Sequence, residues 1–165
     1  MSRPRGGDGV LLAVATWAEA WPLRRFGPRV IGVGRRPVIV NGHRAVLSAG
    51  FAGACLPELE PGDLVVTAGE LAACLGACPG EIRTVTAIAS PADKLRLGRQ
   101  GAAAVDMETA WLRDAADAAG IPFLGVRVII DRQQDRAASF NVARHYPRAA
   151  RRLREAVTQA LERWP

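Results

Sequence analysis

Apolar residues in this chain come in short runs set between segments of helical spacing. Residues 10–15, Val-Leu-Leu-Ala-Val-Ala, form a continuous apolar run of the length of a buried strand, and residues 17–26 read as a short helix with Pro22 in an early turn. Residues 29–33 and 45–48 predict further strands. The second leads into Ala49-Gly50-Phe51-Ala52-Gly53-Ala54, which reads as a loop whose small side chains let backbone approach a ligand. Pro61-Gly62-Asp63 turns into a strand over residues 64–67, and residues 82–88 alternate apolar with polar as a strand does. Residues 71–80, between these two strands, are rich in small side chains and show no clear period.

Ser90-Pro91-Ala92-Asp93 opens a helix, with Ser90 as N-cap, Pro91 at the first helical position and Asp93 favourable to the helix dipole. Residues 107–119 predict the next helix, ended by Gly120 with Pro122 beyond it, and residues 123–130 return as a buried strand. A last helix over residues 147–164 carries Ala150, Leu153, Val157 and Leu161 on one face. Strands alternating with helices, without linker or repeat, predict one α/β domain over residues 1–165, with residues 1–9 flexible.

Composition narrows the function classes. With 165 residues, 49% hydrophobic and 23% charged, the chain suits one soluble globular domain. No apolar run approaches the roughly 20 residues of a membrane span, and the first residues lack the pattern of a signal peptide, so a cytoplasmic location without membrane association is expected. Cys55, Cys74 and Cys78 are an odd count with no histidine nearby to complete a zinc site; they are expected to be reduced and structural, with no metal. The formal charge of +6 invites a nucleic-acid partner. The arginines are dispersed, though, and those on the last helix read as a solvated face, while stacking aromatics are scarce. Nucleic acid is therefore not the expected partner.

Carboxylates fall at two element boundaries. Glu108 follows the run Ala104-Val105-Asp106-Met107 at the start of a helix, and Asp131 ends the strand Val126-Arg127-Val128-Ile129-Ile130. Ligands of open α/β sheets gather at the carboxyl ends of strands, so acids there point to chemistry.

Taken in order, Ala15-Thr16-x-x-Glu19, Leu47-Ser48-Ala49-Gly50-Phe51-Ala52-Gly53, Pro61-Gly62-Asp63-Leu64-Val65-Val66, Val105-Asp106-Met107-Glu108 and Val126-Arg127-x-x-x-Asp131 resemble the nucleoside phosphorylase and nucleosidase superfamily. The likeness is greatest to methylthioadenosine/S-adenosylhomocysteine nucleosidases and hopanoid-associated nucleoside phosphorylases. It implies a three-layer α/β sandwich of the phosphorylase/hydrolase-like kind, with a central mixed, mostly parallel sheet. It also implies cleavage of the N-glycosidic bond between a purine, adenine above all, and a ribose.

Such cleavage builds an oxocarbenium-like ribosyl cation while negative charge gathers on the base. The resemblance implies that Glu108 accepts hydrogen bonds from the ribose hydroxyls with Met107 against the sugar, that Asp131 delivers or shares a proton at purine N7, and that Glu19 orients and deprotonates the attacking water. Asp106, Phe51, Ala52, Gly53 and Ser90 are expected to line the substrate site. Each also has a structural alternative: Glu19 as an exposed helix residue, Glu108 as an acid favoured in a first turn, Asp131 and Ser90 as caps, Phe51 as core.

Against the family pattern the chain reads as a shortened member. Residues 33–44 leave room for a turn and a short strand in place of a helix, and an excursion with another helix is missing after Thr67. Hydrolysis is favoured over phosphorolysis, because Ser48 and Phe51 stand where a phosphorylase has an arginine and a serine. Gly32-Val33-Gly34-Arg35-Arg36 offers a nonspecific anion turn. No cofactor is expected, inorganic phosphate being a co-substrate only of a phosphorylase. A nucleoside-binding module without catalysis is the other reading, and a homodimer or larger homo-oligomer is expected from the resemblance.

Overall fold

The apolar runs pair into one eight-stranded sheet. Its strands are β1 (Val10–Val14), β2 (Arg29–Val30), β3 (Ala45–Ala54), β4 (Leu64–Val66), β5 (Cys78–Pro79), β6 (Glu81–Thr84), β7 (Ala102–Asp106) and β8 (Phe123–Asp131) in a computed structural model that describes residues 9–136 and 139–164. Apart from Gly9, the expected flexible start lies outside the described residues. Pairs β3–β7 and β4–β8 are antiparallel and the others parallel. β1, β7 and β8 are buried nearly end to end because helices cover both faces, and so they read as continuous apolar runs.

Helices α1 (Trp17–Leu23), α2 (Gly69–Leu75) and α5 (Ser139–Arg163) belong to one face, with Leu23, Leu75 and Leu153 packed among Leu12, Leu47 and Val126. On the other face α4 (Thr109–Ala118) sets Leu112 and Ala116 on Leu11, Ala13 and Val46, while α3 (Pro91–Arg99) brings Leu97 to β7. The three layers and the mixed, mostly parallel sheet are as the sequence led us to expect. Among the described residues no helix is long and apolar enough to cross a membrane.

Several local expectations are corrected. Residues 49–54 are not a loop but the second half of β3, since Ala49, Gly50, Phe51, Ala52 and Gly53 all find partners on β8. A helix does follow Thr67. α2 has no side-chain N-cap and is held from outside, by burial of Leu71 and Leu75 and by Arg152 donating to the carbonyls of Leu75 and Gly76. The last helix begins at Ser139 rather than 147, running through Pro147. Pro22 lies near the end of α1, not in an early turn; the Ala18 carbonyl that its missing N–H would have met accepts the Tyr146 hydroxyl at 2.7 Å. The strands expected over residues 29–33 and 82–88 are shorter, ending at Val30 and Thr84. Of the three free cysteines Cys55 is buried and Cys78 half-buried against the core, which suits a structural role, whereas Cys74 is exposed.

Candidate active site

One side of β3 changes partner along its length. β1 pairs with it as far as Ser48, and β7 takes over at Gly53. Between those points the edge of β3 opens, and a cavity of about 200 Å³ lies beside Ala15, Phe51, Gly53, Glu108 and Asp131. The backbone N–H of Phe51, left without a strand partner there, donates to Glu19 Oε1 at 2.9 Å.

Glu19 is buried, against the alternative of an exposed helix residue. Thr16 is the N-cap of α1 and Glu19 the third residue in, forming a capping box; Glu19 Oε2 accepts from the N–H groups of Ala15 and Thr16 at 3.0 and 2.9 Å. Gly50 makes the approach possible, because a Cβ at that position would stand 2.4 Å from Glu19 Oε1.

Glu108 is the N-cap of α4. Its Oε1 accepts the Gly34 N–H at 2.9 Å and its Oε2 the Met107 N–H at 3.3 Å, and burial raises its carboxyl above the usual range, an effect the Gly34 N–H and the Arg127 charge oppose. Each oxygen keeps a lone pair for a hydroxyl.

Asp106, one residue before Met107, is spent on structure. It accepts from Thr84 Oγ1 at 2.8 Å, from the N–H and hydroxyl of Thr109, and from Arg127 Nε at 2.9 Å. Arg127 uses its remaining donors on Asp106, the Ser48 carbonyl and hydroxyl, and the Val126 carbonyl. This buried fork ties the end of β7 to the middle of β3 and β8 beside the cavity.

Asp131 ends β8 at a bulge, where the step from Ala52 to Gly53 faces the two steps from Ile129 to Asp131. Burial raises its carboxyl above the usual range, against the hydrogen bond and charge of Lys94. Lys94, almost wholly buried on α3, donates to Asp131 Oδ2 and to the carbonyls of Arg132 and Asp135 at 2.6 and 2.7 Å. A Cβ at Gly53 would lie 3.3 Å from Asp131 Oδ1 and 3.2 Å from Lys94 Cδ, so the bare glycine leaves room for both.

Glu19, Phe51, Ala52, Gly53, Asp106, Met107, Glu108 and Asp131 thus line one cavity. Ser90 does not: it lines a neighbouring depression, exposed, with its hydroxyl bound to Asp93 in a capping box. Lys94 carried no signal in the sequence beyond sharing a helix side with Leu97. Arg127 did carry one, since a lone cation in an apolar strand calls for a buried acid. The apolar wall includes Val85, Ala89, Val105 and Ile130, and exposed Val33 and Ile88 stand at its mouth. Among the described residues no cluster of His, Cys, Asp and Glu is placed to hold a metal ion.

The model of the phosphorylase superfamily matches residues 77–162. The chain belongs to the phosphorylase superfamily. The matched segment holds Asp106, Met107, Glu108 and Asp131, and the resemblance to nucleosidases and nucleoside phosphorylases, and with it an enzyme of that kind, is borne out at the level of the superfamily. No curated protein matches the chain. Solved structures share the fold: futalosine hydrolase of Helicobacter pylori at 18% identity and TM-score 0.78, over 93% of this chain and 97% of that one. The methylthioadenosine/S-adenosylhomocysteine nucleosidase of the same organism, complexed with a substituted pyrrolidin-3-ol, gives the same figures, 18%, 0.78, 93% and 97%. The S-adenosylhomocysteine nucleosidase of Streptococcus pyogenes, in complex with 5-methylthiotubericidin, matches at 21% identity and TM-score 0.76, over 94% of this chain and 97% of that one.

Proposed function

We propose that the protein hydrolyses the N-glycosidic bond of a purine nucleoside, adenine being the favoured base. The observation that carries this reading is that, besides Asp106, which is held by Arg127, three carboxylates from three elements, Glu19 of α1, Glu108 at the start of α4 and Asp131 of β8, meet on one cavity with an otherwise largely apolar wall.

In this reading Glu108 holds the ribose hydroxyls on the lone pairs left by Gly34 and Met107. The bond from C1′ to N9 breaks and its electron pair leaves with the base, which takes a proton at N7 from Asp131. A water adds to the oxocarbenium-like C1′ and gives its proton to Glu19, whose fixed hydrogen bonds to Ala15, Thr16 and Phe51 set the direction of attack. The raised carboxyl of Asp131 supports its part as acid. Ala52 and Gly53 form the floor and Phe51 a side wall; Ser90 is given no contact with substrate. No cofactor is invoked.

Water is preferred to phosphate as the nucleophile because the cations nearest the site are committed. Arg127 is saturated by Asp106, Ser48 and Val126, and Lys94 by Asp131 and the carbonyls of Arg132 and Asp135. A homodimer belongs to the same reading: α1 carries Glu19 inward and exposed Trp17 and Trp21 outward, beside a cavity mouth with exposed Ile88.

The test is steady-state release of free base from adenosine, methylthioadenosine and S-adenosylhomocysteine by the wild type, Glu19→Gln, Glu108→Gln and Asp131→Asn. Release by the wild type, cut about 100-fold or more in each variant, is the expected result. Saturable binding without release would leave the nucleoside-binding module instead.

A further inference from the structure

Among the described residues Lys94 is the largest of the side chains that are less than 2% exposed, and it carries a charge. A buried ammonium needs all its protons matched, and this one has three acceptors: Asp131 Oδ2 and the carbonyls of Arg132 and Asp135. It has no donor left for a substrate. Its aliphatic stem passes Gly53 and its nitrogen closes the loop after β8 onto the last residue of that strand. A purely structural tether would serve with loop carbonyls alone; here one of the three bonds goes to the carboxylate that faces the cavity.

We propose that Lys94 is a positioning residue for glycosidic cleavage, fixing the Asp131 carboxyl with Oδ1 toward the base and stabilising the carboxylate that remains once the proton has moved to N7. The inference rests on the nucleosidase reading of the site. In the step concerned the O–H bond of Asp131 breaks, an N7–H bond forms on the base, and the electron pair of the C1′–N9 bond departs with it. Lys94 keeps its own protons throughout. Its charge is worth more as the carboxylate forms than before, so its effect falls on the chemical step rather than on binding.

The groups facing Asp131 are Lys94 from α3, Asp135 from the following loop and Cys55 from just after β3. Asp135 opposes the ionised form and Lys94 favours it, while burial pushes the Cys55 thiol up to about 11, leaving it neutral. Removing Lys94 therefore leaves nothing in that set to support a carboxylate.

The experiment compares wild type, Lys94→Met, Lys94→Arg and Asp131→Asn by thermal melting and by the pH dependence of kcat and KM for base release. Lys94→Met is expected to lower kcat about 100-fold with KM changed less than about threefold. The alkaline limb, absent in Asp131→Asn, is expected to move up by about one unit or more. Lys94→Arg, keeping the cation in a different shape, is expected to recover part of kcat. A folded Lys94→Met with wild-type kcat and an unmoved limb overturns the proposal. Should Lys94→Met not fold, the neutral Lys94→Gln decides: kcat about tenfold or more down at little-changed KM supports the role, and wild-type kcat overturns it. Failure of the wild type to release base from any nucleoside overturns the underlying reading and this inference together, whereas an active wild type with equally active lysine variants overturns this inference alone.

Discussion

Glu19 accepts the backbone N–H of Phe51 at 2.9 Å, across the stretch where β3 has left β1 and not yet met β7. A carboxylate thus takes the place of a strand. The bond needs a residue without a side chain next door, since a Cβ on Gly50 would overlap Glu19 Oε1. Gly50→Ala is expected to displace Glu19 and to lower the rate of base release about 100-fold, while the melting curve remains cooperative. Steady-state kinetics beside thermal melting checks both parts.

Arg127 and Asp106 form a buried pair beneath the site, with Ser48 and Thr109 completing their hydrogen bonds. Truncation of one partner strands the other. Arg127→Met is expected to cost about 3–5 kcal/mol in urea unfolding, and Arg127→Met with Asp106→Leu less than the sum of the single losses.

Much of this was legible beforehand and some was not. The strand ending in Asp131 and the acids Glu108 and Glu19 could be named because β-branched runs, cap positions and family spacing are local. The length of β3 could not, since Ala49-Gly50-Phe51-Ala52-Gly53-Ala54 has loop composition and becomes strand only because β8 pairs with it. Lys94 was equally hidden. A lysine on a helix is solvated by default, and only a carboxylate 37 residues away and two loop carbonyls make a buried site for it. Ser90 is the opposite case: it lies in a neighbouring depression rather than the cavity, and its local explanation, as an N-cap, was complete.

Glu108 gives a prediction on stability against pH. Burial raises its carboxyl in the folded protein above the unfolded value, so folding favours the protonated form. Its contribution to stability is complete below the unfolded value and is lost as pH rises through the folded one. Glu108→Gln, neutral at every pH, is expected to be more stable than wild type at pH 7 and no more stable near pH 3, at the expense of activity. Melting at the two pH values shows it; a constant difference would contradict the assignment.

Trp17 and Trp21 are 79% and 66% exposed on the outer side of the helix that holds Glu19. A second copy of the chain is the expected cover. Sedimentation equilibrium should find a dimer for wild type, weakened about tenfold or more by Trp17→Glu.

In the proposed reaction water, not phosphate, attacks the sugar. The most direct test is the identity of the sugar product when the wild type turns over a nucleoside with and without inorganic phosphate. Free ribose, formed at the same rate in both, is the predicted result. A sugar 1-phosphate, formed only when phosphate is present, would contradict it.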